Sequence, residues 1–173
     1  MPAPTYTPTS NDGLLLSYLR NQIANSATFQ AVVEADNATE ALGSIHFGLA
    51  MDGEVDATFP VQAEDPWPRC ILRLIDDELA NRIGTRVWEL RPQILCVFEF
   101  NTPADYLALP QDAYLWMVDK TSAIRAEMLA LTGNPYVDLV SLRRGSLGFL
   151  PREDHNGRHG LVGELFASIN CKG

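Results

Sequence analysis

A chain of 173 residues, 46% apolar and 20% charged, has the size and composition of one domain over 1–173, able to bury about 70% of its unfolded surface without disulfide staples. The formal charge of −9 opposes binding to phosphate backbones, and no local run of lysine or arginine offsets it. No apolar run approaches the ~18 residues that a membrane span requires, so no membrane partner is expected.

The opening MPAPTYTPTSNDG has neither the basic start nor the apolar centre of a secretory signal, and residues 1–12 are read as an arm. LLLSYLRNQIAN, residues 14–25, carries Leu15, Leu19 and Ile23 at four-residue steps, which predicts an amphipathic helix capped by Asn11 or Asp12. Ser26 precedes a second short helix with Phe29, Val32 and Val33 on one face. A break near Asp36 and another helical stretch to Leu42 follow.

From Gly43 to Pro68 periodicity dissolves, apart from IHFGLAM as a short strand. The acidic, proline-punctuated segment 52–68 is read as a loop with a contact role, since loops this long in compact domains are either disordered or used for binding. RCILRLI alternates as a strand, and Asp76 and Asp77 after it are read as a solvated loop. A longer strand, RVWELRPQILCVFEFN, places Trp88, Leu90, Ile94, Cys96, Phe98 and Phe100 on one face and mostly polar residues on the other. Pro92 has no N–H for a ladder, which requires a sheet edge or a bulge there.

Residues 111–131 form the clearest helix, with Tyr114, Met117, Val118, Thr121, Ile124, Met128 and Leu131 on one stripe and a Gly133 stop. The segment from Tyr136 onward alternates on both sides of Asn156-Gly157, the dipeptide best suited to a tight hairpin turn. That register would set Asp154 opposite His159 and His155 opposite Arg158, with pairing broken near Pro151. Residues 152–160 would then project as a polar tip.

The tip stretch REDHNGRHG invites a metal reading. On a two-residue turn, however, His155 and His159 fall on different faces of the ribbon, and Asn-Gly opposes a helix that would align them. No metal site and no cofactor are expected. His46 lacks a nearby acid or nucleophile and is read as structural, and none of the common nucleophile or phosphate-loop motifs occurs, so no catalytic residue is expected. The cysteines Cys70, Cys96 and Cys171 are widely spaced and odd in number, which suits reduced, buried thiols better than a disulfide framework.

The expected architecture is α+β: a mostly antiparallel sheet of about four strands with a long hairpin, packed against one central amphipathic helix and an N-terminal helix. In element order and texture the chain resembles the tail terminator (tail completion) family of long-tailed bacteriophages. LLSYLRNQIANSATFQAVV, PRCILRL, RPQILCVFEFN leading into AYLWMVDKTSAIRAEMLALTG, and the hairpin ending GLVGELFASIN carry that resemblance, over roughly residues 13–170.

The resemblance implies a structural subunit without chemistry that forms a ring, usually of six copies, on the head-proximal end of the tail tube. Its implied partners are other copies of itself, the tail tube protein and a head-tail connector or neck protein. DNA would pass through the lumen without specific binding, and the site of action would be the tail-head junction of a virion assembled in the host cytoplasm. An acidic ring suits DNA passage, because like charge prevents adhesion. Interface residues are expected on the polar strand face and its start (Arg86, Arg91, Gln93) and on the hairpin tip (Arg152, Asp154, His155, Arg158, His159). The long acidic loop and the arm depart from smaller family members and leave a connector or neck position open. The reading from a different class is a small α+β enzyme or ligand-binding domain with a pocket between the sheet and helix 111–131. The core face of residues 88–100 offers such a pocket only the Cys96 thiol and the Trp88 indole.

Overall fold

The computed structural model describes residues 6–48, 68–83, 87–130, 137–153 and 159–171. The first helix, α1 (Asn11–Ala24), is capped by Ser10, whose hydroxyl accepts from the Gly13 N–H at 3.2 Å, so the cap lies just before the expected Asn11 or Asp12. A Cβ on Gly13 would stand 2.7 Å from the Pro8 Cβ, so glycine is what lets the preceding chain close onto the helix start. Leu15, Leu19 and Ile23 are fully buried, as their four-residue spacing requires.

Ser26 caps α2 (Ala27–Val32), accepting from the Phe29 N–H at 3.0 Å. This helix ends with Glu34 in the left-handed region (φ 56°) while Ala35 N–H returns to the Gln30 carbonyl at 2.9 Å, a Schellman closure on a residue other than glycine. Asn37 caps α3 (Ala38–Ala41), and a 3-10 turn, Leu42–Ser44, leads into β1 (Ile45–Phe47). Arg20 of α1 donates to the Leu42 carbonyl at 2.8 Å and lies over the Phe47 ring, fastening this corner to the first helix.

The remaining strands are β2 (Arg69–Ile83), β3 (Val87–Asn101), β4 (Val137–Glu153) and β5 (His159–Cys171). With β1 they form one five-stranded sheet in the order β1-β2-β3-β5-β4. The β1–β2 pair is parallel and the other three are antiparallel, so the α+β, mostly antiparallel expectation holds, with the short IHF strand as the fifth member. The β3–β5 register is unbroken from Gln93↔Ser168 to Asn101↔Gly160, and it forms the regular centre of the sheet. The flanking ladders are irregular. Strand β2 shifts register at Leu74/Asp76 and at Leu79/Asn81, while β4 needs 17 residues to span the 13 of β5, the excess entering at three shifts. Bulges of this kind bend a strand and increase its twist.

Helix α4 (Pro110–Ala130) packs against β4 and β5 and against α2. Its buried stripe is Ala113, Met117, Thr121, Ile124 and Met128. Tyr114, expected on that stripe, is 39% exposed, because the 3.6-residue period brings Ala113 under the sheet instead. The core is threaded by rings: Phe29 meets Phe98 at 6.1 Å, Phe98 meets Phe100 at 5.8 Å, and Phe100 meets Trp116 at 6.2 Å. These edge-on and tilted contacts link α2, β3 and α4, and truncating a buried phenylalanine such as Phe98 should cost about 3–5 kcal/mol.

Ile94, Cys96, Phe98 and Phe100 are all fully buried, which bears out the alternation read over that part of β3; the side chains of Trp88 and Leu90 lie outside the described residues. The opposite face is not wholly exposed. Arg69 and Glu99 are cross-strand partners forming a buried ion pair, and Ile71, two residues along from Arg69, is fully buried.

Candidate assembly interface

Among the described residues, parts of the strand edges have no partner strand. Within that set, strand β1 covers β2 only at Cys70–Leu72, with one further bond from Gly48 N–H to the Leu72 carbonyl. Strand β5 covers β3 only from Gln93 onward. Among the described residues, therefore, Asp76–Ile83 of β2 and Val87–Pro92 of β3 pair only with each other. They make a two-stranded ribbon that extends past β1 and β5, neither of its outer edges being paired to another described strand. A lone two-stranded ribbon is marginally stable in water, so one that is retained generally finds support elsewhere.

Pro92 sits where β5 departs, one residue outside the first β3–β5 pair and next to the Leu74/Asp76 shift. Both alternatives demanded by its missing N–H, an edge and a bulge, are met together. Arg91 is in register with Glu78, and Gln93 with Asp76 on one side and Ser168 on the other, so both expected interface residues lie at the ribbon's base. Arg86 lies outside the described residues. The reading of Asp76 and Asp77 as a solvated loop is overturned: they are strand residues, paired with Gln93 and Pro92. The two register shifts break the period-two alternation of LIDDELANRI, which is why its strand character was hidden.

At the hairpin, pairing is disturbed across Phe149/Glu153, the interval holding Pro151 and Arg152, as its proline required. His159 pairs with Glu153 and not with Asp154, a correction of one residue. That register leaves five residues between the last pair instead of the two of a tight Asn-Gly turn; Asp154, His155 and Arg158 lie among them, outside the described residues. The other edge strand, β4, ends the sheet and runs beside β5 over its whole length.

Among the described residues the interior offers little chemistry. Burial pushes the Cys70 thiol well above its ordinary range, with Cys96 and Glu99 nearby adding to the effect, and burial pushes Cys96 up to about 12. Both are neutral near pH 7 and unsuited to nucleophilic attack. Glu127 of α4 accepts from the Ser26 hydroxyl at 2.6 Å, from the Thr28 N–H at 3.1 Å and from the Thr28 hydroxyl. Burial works to raise its pKa, but these bonds to the carboxylate, with another from Ala27, outweigh it and hold the group below the usual range. That carboxylate is occupied in fastening α4 to α2. Among the described residues no group of three or more His, Cys, Asp or Glu is placed to hold a metal ion, and no helix is long and apolar enough to cross a membrane.

No protein-family model matches the chain, and no curated protein matches it in sequence. Among solved structures, a chain from the "Virion of native gene transfer agent (GTA) particle" is similar at a TM-score of 0.40 and 12% identity, over 95% of this chain and 100% of that one. A likeness at that level fixes neither fold nor activity.

Proposed function

We propose that the protein is a structural subunit of a virion, of the tail terminator type. It forms a ring on the head-proximal end of the tail tube, ends tube growth and presents the surface on which the head docks. The observation that carries this reading is the β2–β3 ribbon, whose two outer edges have no partner strand among the described residues and which calls for a partner strand or surface. The element order that gave the resemblance supports it, as does a −9 charge compatible with passing DNA through a lumen.

The described part of the core face of β3, where a ligand pocket would lie, presents Cys96 among Ile94, Phe98 and Phe100 and supplies no convergent polar set among the described residues. Function through surfaces is therefore the better-supported reading. Gold-labelled antibody against the protein, applied to purified particles, is expected to mark one end of the tail, at the head junction. Particles that contain none of the protein would overturn the proposal.

A further inference from the structure

We infer that copies of this chain join edge to edge, the acidic outer edge of one copy's β2 ribbon pairing with the basic outer edge of the next copy's β4. The two edges lie at opposite ends of the sheet: among the described residues β1 shields β2 only as far as Leu72, and β4 ends the order β1-β2-β3-β5-β4. Beyond that shield, β2 carries Asp76, Asp77 and Glu78 in succession. Strand β4 carries Arg143, Arg144 and Arg152, with no acid anywhere from Leu142 to Arg152. Edge charges that merely prevent aggregation work best when both edges share a sign. In a chain of net charge −9, an arginine-bearing edge facing away from an acidic one is complementary instead.

Strand direction agrees with this pairing. Three antiparallel steps separate β2 from β4, so the two run in opposite senses. Rotation about an axis along the strands preserves those senses and brings a neighbour's β4 antiparallel to β2. The contact is head-to-tail, using different surfaces on its two sides, which is the type that closes rings.

The heights differ by a small stagger. Arg143 is level with Arg73 through Phe166 and Leu95, so Arg143 and Arg144 stand about four residues from the acids, while Arg152 lies farther along the strand. Across four strand steps that is about one residue per step, the offset that a strand tilt of about 35–45° introduces in a closed sheet.

The inference rests on the ring reading for closure, but the pairing itself is tested on purified protein. Wild type, a variant with Asp76→Lys, Asp77→Lys and Glu78→Lys, and a variant with Arg143→Glu and Arg144→Glu would be sized by light scattering, separately and mixed. Wild type is expected to associate and each variant to be monomeric. Their equimolar mixture should reassemble with the two variants alternating, because each then meets a complementary edge. The milder single changes Asp77→Asn and Arg144→Gln, which put little strain on folding, should each weaken association several-fold.

Wild type that stays monomeric at its highest soluble concentration would overturn the inference. So would single changes that leave association untouched, or a mixture that stays monomeric while both variants keep native circular dichroism. Any of these results leaves the virion reading to be decided by particle labelling. Conversely, charge-swapped reassembly of a protein absent from particles would keep the pairing and remove that reading.

Discussion

The Ser26 hydroxyl donates to Glu127 Oε2 at 2.6 Å while accepting from the Phe29 N–H at 3.0 Å, so one buried oxygen both caps α2 and ties it to α4, 101 residues away. Ser26→Ala removes the cap and leaves the carboxylate short of a donor, and should destabilise the fold by about 1–2 kcal/mol in urea unfolding.

The same pair sets a pH dependence. Glu127 has a depressed pKa in the folded state, so its contribution is fully present above the ordinary value of 4.5 and is lost as pH falls through the lower folded value. Wild-type stability should therefore decline in that acid window, and Glu127→Gln should flatten part of the decline while lowering stability at neutral pH. An unchanged acid limb in the variant would show that the carboxylate does not carry it.

Thiol chemistry gives a second check. Cys70 and Cys96 are completely buried and held protonated by that burial, so a Cys171→Ser variant should show no thiol reactive toward Ellman's reagent at pH 8 until denaturant is added. Rapid modification of the native variant would contradict the packing of β2 against β3.

Thr121 lies fully buried on the α4 stripe, and its hydroxyl has no hydrogen-bond partner among the described residues. Thr121→Val keeps the shape and removes the polar atom, and should raise stability by about 1 kcal/mol, or roughly 2–4 °C in melting temperature for a chain of this size.

The Arg69–Glu99 pair should behave oppositely. Either partner removed alone leaves a buried charge, so Glu99→Gln should cost about 3–5 kcal/mol, whereas replacing both with well-packed apolar residues should be close to neutral.

Where side-chain period and backbone period coincide, the sequence was readable. The four-residue steps of Leu15, Leu19 and Ile23 and the alternation Ile94, Cys96, Phe98, Phe100 led directly to buried faces. The second half of β2 was not readable, because bulges at Leu74/Asp76 and Leu79/Asn81 throw its alternation out of phase and three successive acids resemble a loop. The His159 register slipped by one for a related reason, since a bulge across Phe149/Glu153 adds residues that a count outward from the turn does not include. Of the candidate interface, Pro92 announced an edge, but sequence alone did not show that β5 would stop one residue short of it. Strand order exists only once the sheet is assembled, and the acidic run of β2 and the arginines of β4 fall on opposite sides of it only through that order.

The central claim is tested most directly by electron microscopy of particles made after deletion of the gene. The account predicts tails of uncontrolled length, or finished tails and filled heads that fail to join. Normal, infectious particles of ordinary tail length would contradict it.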